Sequence, residues 1–567
     1  MRKQVFLWGI GLLFLQSVWA QDPAEYQKWL KKQQEEYQDF KDARDKEFVQ
    51  FLSLEWKQMK AFTGLVRDDK PKPAKLPVYQ PPPVRPSEPL KDNAPVGKDI
   101  PPPKPDEKAK PAKVPADQPP PVRPSESPKE VAPVAKDIPT PKPDEKPKPV
   151  KVPADQPSPM RPSEPSKEIA PVAKDIPIPR PEAKPVGERV KKEEPSAPAR
   201  FSVPVDFYGM KTDIGHNIGQ KPMLGKDVNK ESIGAFWAAL SRAEYDGLVS
   251  ELLGQRDRMG LNDWGYCQLV YQWCKQFYSE AHNEAVLMSW FLLSKSGFDA
   301  RVGYSEGKIH LLLPTANSLY YITYFTIGKD NKKYYAVPLE GAAKRVEGVL
   351  YSYDGSYPGV DKTTDFSVKS APVLNDRVEK KNLKFEYSGR TYSLPVEFNR
   401  DAVGFFEYYP QTNFEVYFTS SPSSEAMRSL VAGLKPIVSG KSEIDAVNIL
   451  LRFVQTAFEY RTDQEQFGRE KPFFPEETLY YPYSDCEDRS ILFAFLVRKV
   501  IGLDVVGLDY PAHIATAVRF GSNVAGDAVT FQGTRYVICD PTYIYANAGV
   551  CMPHFKTVNP NIIKFTN

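Results

Sequence analysis

Cysteine and histidine are both scarce, five of each in 567 residues. No Cys-x-x-Cys or His-x-x-x-His spacing occurs, so the chain carries no zinc-finger signature, and no metal or cofactor site is expected. Beyond the N-terminus no stretch approaches 18 uninterrupted apolar residues, which excludes an ordinary membrane-spanning helix. An excess of one charge is also missing. The 75 Lys and Arg against 72 Asp and Glu leave a net charge of +3, which offers no polybasic surface to nucleic acid. Gly-rich phosphate loops and dinucleotide fingerprints are absent as well.

Proline, in contrast, is abundant at 56 residues, and most of them fall in one block. The chain divides by composition. Residues 1–20 read as an export signal: Arg2 and Lys3 precede the apolar run Val5 to Leu15, and Val18-Trp19-Ala20 offers a small-residue cleavage site. The mature protein is therefore expected to be exported, to the periplasm or beyond the cell, with no stable membrane span. Residues 21–66 are charged and amphipathic. Tyr26, Trp29, Leu30, Tyr37, Phe40, Phe48, Phe51, Leu52, Trp56 and Met59 fall at helical spacing, predicting one helix over about 22–62 whose stripe either docks on a partner or on the domains downstream or packs in a small bundle of its own.

Residues 67–200 read as a Pro-rich disordered spacer, in which Lys-Asp-Ile-Pro begins at Lys98, Lys136 and Lys174, a 38-residue period. So much proline cannot bury a core, and a polyproline II contour of about 3.1 Å per residue would reach on the order of 400 Å. The arm acts either as reach or as a ligand for an aromatic-grooved partner.

Folded sequence resumes near Phe201. In the last section, Ser484 and Asp485 precede Ile491, Leu492, Phe495, Leu496 and Val500 at helical spacing, and Gly502 ends the run. Cys486 then occupies a first helical turn, where free N–H groups favour a thiolate, while Glu487 and Asp488 oppose it. Strands are predicted at Leu503 to Leu508, His513 to Phe520 and Arg535 to Cys539. If the last two pair, His513 and Asp540 meet at one end. A thiol, an imidazole and an orienting carboxylate are the parts of covalent acyl transfer.

Asp485-Cys486-Glu487-Asp488, Pro511-Ala512-His513 and Cys539-Asp540-Pro541-Thr542 together resemble the transglutaminase-like superfamily of papain-like fold. The resemblance covers residues 441–550 and implies Cys486, His513 and Asp540 as catalytic residues on an α+β core. Superfamily members include peptidases, amidases, cross-linking enzymes and inactive copies, so it leaves the reaction open. Residues 441–567 are assigned to this domain.

Residues 201–344 match it in outline. Leu287 aligns with Leu492, Gly297 with Gly502 and Asp299 with Asp504, with Ala281 at the Cys486 position and His310 two places from His513. This predicts a degenerate copy without nucleophile or acid, the alternative being an unrelated αβ architecture whose register matches by chance. Residues 345–440 read as a β-rich linking region with strands at Leu383 to Tyr387, Tyr392 to Phe398 and Phe414 to Phe418.

Water being the abundant acceptor outside the cell, hydrolysis of a protein or cell-wall peptide is expected ahead of transamidation; a non-catalytic peptide-binding protein is the alternative. Tyr460, Gln464 and Gln466 stand as candidates for a second oxyanion donor beside the Cys486 N–H. Cys267 and Cys274, about 10.5 Å apart along one helix, cannot bridge each other, whereas Cys539 and Cys551 could.

Overall fold

The computed structural model describes residues 23–54, 56–67, 72–81, 201–375 and 377–565. Residues 1–83 and 195–567 form one compact unit; the second, 84–194, lies outside the described residues, as does the expected export signal.

The architecture is α+β, and one topology occurs twice. In the first instance helices α1 (Asp263–Phe277) and α2 (His282–Lys295) precede strands β1 (Arg301–Ser305), β2 (Lys308–Leu313), β3 (Tyr324–Ile327) and β4 (Lys332–Ala336). In the second, helices α3 (Glu443–Thr456) and α4 (Cys486–Leu496) precede β5 (Val505–Tyr510), β6 (His513–Val518), β7 (Ala528–Phe531) and β8 (Thr534–Cys539). Both sets pair antiparallel, in the orders β1-β2-β4-β3 and β5-β6-β8-β7. The offset of 205 residues between Leu287 and Leu492 also separates Lys308, the first residue of β2, from His513, the first of β6.

Helix α4 is apolar around most of its circumference, and every residue from Cys486 to Leu496 is buried, as befits a helix at the centre of a domain. It widens into a π turn at Val497–Ile501 and stops at Gly502, whose φ of 85° suits glycine.

Three expectations need correction. The N-terminal helix runs only over Pro23–Leu54. Past it, Lys57–Met59 pairs with Leu350–Ser352 and Ala61–Phe62 pairs with β3, because Met59 alternates inward to join Phe325, Ile327 and Tyr334. These two short strands lie at opposite ends of the seven-stranded sheet, yet one residue apart in the chain, so the sheet closes on itself like a barrel. The stripe of the helix docks within the same chain: Phe48 and Leu52 are buried, with the Phe48 ring 4.7 Å from Trp237 and 5.3 Å from Tyr357. The side chains of Tyr26, Trp29, Leu30, Tyr37 and Phe40 lie outside the described residues.

The linking region holds the expected hairpin, Val378–Tyr387 with Arg390–Asn399. Its Phe414 to Phe418 stretch is a helix, Phe414–Thr419, not a strand. Val416, Tyr417 and Phe418 are buried in succession, Tyr417 against Phe474 at 4.6 Å and Phe418 against Phe565 at 5.0 Å, which strand alternation would forbid.

The third correction concerns the spacer. Residues 72–81, placed in it from composition, lie on the C-terminal domain. Val78 bridges Ile544, the Tyr79 N–H donates to the Ile544 carbonyl at 2.8 Å, and the Ile544 N–H donates to the Pro77 carbonyl at 3.0 Å.

Candidate active site

The start of α4 is fixed from several sides. The Asp485 N–H donates to Asp488 Oδ2 at 3.1 Å, and the Phe473 N–H donates to Asp488 Oδ1 at 2.8 Å. Buried Arg489 binds Ser484 Oγ and the carbonyls of Gln455 and Phe458 at 3.1, 3.2 and 2.8 Å. Ser490 Oγ donates to the Ile514 carbonyl at 2.9 Å, tying the helix to the first residues of β6.

His513 opens β6 after a tight turn in which Ala512 takes φ 60°. β6 pairs with β8 through Thr516 and Cys539, which brings Asp540 beside His513; β7, which the sequence did not suggest, lies outside β8. His513 Nε2 and Asp540 Oδ2 are 2.9 Å apart. The other carboxylate oxygen accepts from the Thr542 N–H, Thr542 Oγ1 and the Tyr543 N–H at 2.9, 2.7 and 3.2 Å. Burial alone would raise the Asp540 carboxyl, but His513 and Thr542 hold it below its ordinary value. The imidazole lies parallel to Phe555, centroids 5.0 Å apart. With Nε2 engaged, Nδ1 is the nitrogen open to a reacting group.

Cys486 is buried, and its Sγ–H donates to Glu487 Oε2 at 3.1 Å. Among the described residues no hydrogen bond joins Cys486 to His513. Burial first, then Glu487 and Asp485, push the thiol well above its usual value, against the opposing pull of Lys72 and the Ile514 N–H. The thiolate expected from the helix start is therefore not favoured in this state: burial among carboxylates outweighs the first-turn dipole.

What covers the site is residues 72–79. Lys72 Nζ contacts Asp485 Oδ2 at 2.8 Å, Glu470 Oε2 at 3.0 Å and also Glu487 Oε1, with its side chain 11% exposed. Tyr460 Oη donates to the Pro73 carbonyl at 2.9 Å, and the Tyr79 ring meets the edge of Tyr543 at 5.7 Å. Of the three oxyanion candidates, Tyr460 thus has its hydroxyl on a peptide carbonyl, while Gln464 and Gln466 lie on the short helix Asp463–Phe467. Sequence reasoning missed Lys72 because its surroundings are so rich in proline. Tyr79, an aromatic departure from that composition, was the available signal.

Carboxylates crowd around this ammonium. Asp463, Glu470 and Glu487 bring oxygens within 4.8 Å of one another, as do Asp463, Asp485 and Asp488; these are the groups that could hold a cation. Burial would raise Glu487, but Lys72 and its hydrogen bonds pull it down to about 2. Burial pushes Asp463, Asp485 and Asp488 well up, each reinforced by the neighbouring carboxylates. Next to Lys72 opens a cavity of about 710 Å³ lined by Tyr320, Tyr408, Gln411, Gln464 and Arg469.

The first unit lacks this equipment. Ala281 caps α2 where Cys486 begins α4, and His310 is pushed down to about 4 by burial, then by His282 and Lys308. All five cysteines are free and buried, so the allowed Cys539–Cys551 bridge is not formed. Cys539 faces the main core, whereas Cys551 packs with Tyr510 and Ile538 on the other face of the sheet.

No family model, curated protein or solved structure matches this chain. The geometry alone carries the reading of the site.

Proposed function

We propose that the chain is an exported thiol-dependent acyl-transfer enzyme of transglutaminase-like, papain-like type, with Cys486 as nucleophile, His513 as base and Asp540 as its orienting carboxylate. One observation carries the reading: His513 Nε2 is tied to a fully bonded Asp540, and Ser490, in the first turn after Cys486, is bonded to the carbonyl of the residue that follows His513. The substrate class is a peptide amide. His513 Nδ1 takes the thiol proton, and the sulfur adds to the carbonyl carbon. The developing oxyanion is received by the Cys486 N–H and Tyr460 Oη. The imidazolium returns the proton to the leaving amine as the C–N bond breaks. Water then cleaves the thioester, giving an acid and the free thiol. A primary amine in place of water would give transamidation; hydrolysis leads because water is abundant outside the cell.

The non-catalytic peptide-binding reading is favoured by a different observation, the thiol held protonated on Glu487. Alkylation of Cys486 by iodoacetamide as a function of pH, followed by peptide mass spectrometry, separates the two. The enzyme reading expects labelling that persists below about pH 8 once residues 72–79 are displaced, and that is lost in His513→Ala. Equal, slow labelling of both proteins with an ordinary thiol profile near 8.5 would instead mark a binding protein.

A further inference from the structure

The segment over the site is the first copy of a sequence that recurs. Lys70-Pro71-Lys72-Pro73-Ala74-Lys75-Leu76-Pro77 reappears 38 residues on as Lys108-Ala109-Lys110-Pro111-Ala112-Lys113-Val114-Pro115. It returns again as Lys146-Pro147-Lys148-Pro149-Val150-Lys151-Val152-Pro153. The described residues therefore hold one such groove, and the sequence holds three matching segments.

The contacts of the docked copy are of two kinds. The ammonium of Lys72 sits among Glu470, Asp485 and Glu487, and the backbone gives the Pro73 carbonyl to Tyr460 and the Pro77 carbonyl to Ile544. The residues that make both kinds recur in the other copies: Lys110 and Lys148 align with Lys72, Pro111 and Pro149 with Pro73, and Pro115 and Pro153 with Pro77. Proline at these places presets an extended chain, which lowers the ordering cost of docking. The groove also needs a cation: Lys72 is paired with the buried Asp485 and Glu487, so an empty groove would leave both carboxyl groups without that partner. One contact is private to the first copy. Tyr79, whose ring packs on Tyr543, is replaced by Asp117 and Asp155.

We infer that this groove is a docking site for the Lys-Pro-x-Lys-aliphatic-Pro segment, filled in the resting chain by residues 72–79, and that it accepts the corresponding repeat of a second copy of the chain. The exchange is a form of segment swapping, in which identical contacts are made between copies instead of within one. The first copy wins at rest because it alone carries the Tyr79 contact and is held close by the strands at Lys57–Met59 and Ala61–Phe62. The remaining repeats give each molecule spare ligands for its neighbours. The inference concerns docking and stands whether or not Cys486 reacts.

The test uses the full chain with Lys72→Ala, Lys110→Ala and Lys148→Ala combined, so that no internal copy retains its ammonium. A fluorescein-labelled peptide with the sequence of residues 106–121 is expected to bind it saturably, more weakly as salt rises. The same peptide with Ala for Lys110 should bind on the order of a hundredfold less tightly. Absence of saturable binding, or equal binding of the two peptides, overturns the docking site. Sedimentation of the single variant Lys72→Ala addresses the second copy: association that grows with concentration and disappears in the triple variant is expected, and a monomer at every concentration overturns the exchange. Tyr79→Asp, which keeps Lys72 and every carboxylate partner, guards against misfolding of the Lys variants. It should raise binding of the labelled peptide several-fold above the unaltered chain, and no increase counts against the proposal.

Discussion

Replacing Lys72 by alanine sets two effects on Cys486 against each other. If the segment 72–79 stayed docked, the thiol would lose the pull of the ammonium and become harder to ionise. If the segment left, water would reach the sulfur and remove burial, the largest influence holding the thiol up. The size of the ion-pair loss decides between them. Lys72 meets three carboxylates, two of them on the nearly buried Asp485 and Glu487. Breaking such a buried pair costs about 3–5 kcal/mol, part of it regained as Glu487 takes up a proton. A net loss near 3 kcal/mol shifts the docked-to-open ratio on the order of a hundredfold. Because alkylation proceeds through the open form, the labelling rate of Cys486 at pH 7 should rise by a similar factor. Lys75→Ala, which alters an exposed side chain of the same segment, should leave the rate within about twofold. A rate in Lys72→Ala that is unchanged or slower would refute the idea that this segment shields the cysteine.

Asp540→Asn should lower Cys486 alkylation near pH 6 by a hundredfold or more, on the order seen when a triad carboxylate is neutralised. The fold should be kept, as near-ultraviolet circular dichroism would report. Glu476, buried and held by the N–H groups of Asn399 and Ser423, is pushed up to about 7 by burial. Its folded value is above the unfolded one, so the stability it lends is full below about pH 4.3 and is lost as pH rises through about 7, by about 3–4 kcal/mol in all. Chemical denaturation from pH 4.5 to 8 should show this decline. Glu476→Gln should flatten it, at a constant cost of about 1–3 kcal/mol because its amide places a donor against an N–H. Phe48→Ala empties a site walled by Trp237, Trp290 and Tyr357 and should cost about 3–5 kcal/mol, with faster proteolysis of the helix Pro23–Leu54 as the readout.

The pattern of apolar residues made much of this fold legible. Helical spacing from Ile491 to Val500, ended by Gly502, gave α4 within a residue or two, and the two strands flanking a loop put His513 and Asp540 at one end. The repeated register of Leu287 and Leu492 is met by matching strand orders. Alternation failed at Phe414 to Phe418, where the adjacent rings of Tyr417 and Phe418 both find buried partners, Phe474 and Phe565, from a short helix. The ionisation of Cys486 could not be read locally either, because burial and the distant Lys72 control it more than the helix start does. Lys72 itself was hidden by composition: a proline-rich segment buries no core of its own, yet it can fill a groove that another part of the chain supplies.

The closure of the first sheet gives that segment a mechanical polarity. Residues 57–62 are clamped across both margins of the sheet, and Leu65 and Arg67 continue the anchorage through Tyr320 and Thr412. The segment over Cys486 is thus a leash fixed at its upstream end. Tension from the downstream end would peel it in order, Tyr79 from Ile544 first, Pro73 from Tyr460 later, and Lys72 from its carboxylates last. Bonds broken one after another yield to a much smaller force than bonds sheared together. A pull on the proline-rich arm would therefore uncover the cysteine gradually while the sheet beneath kept its shape.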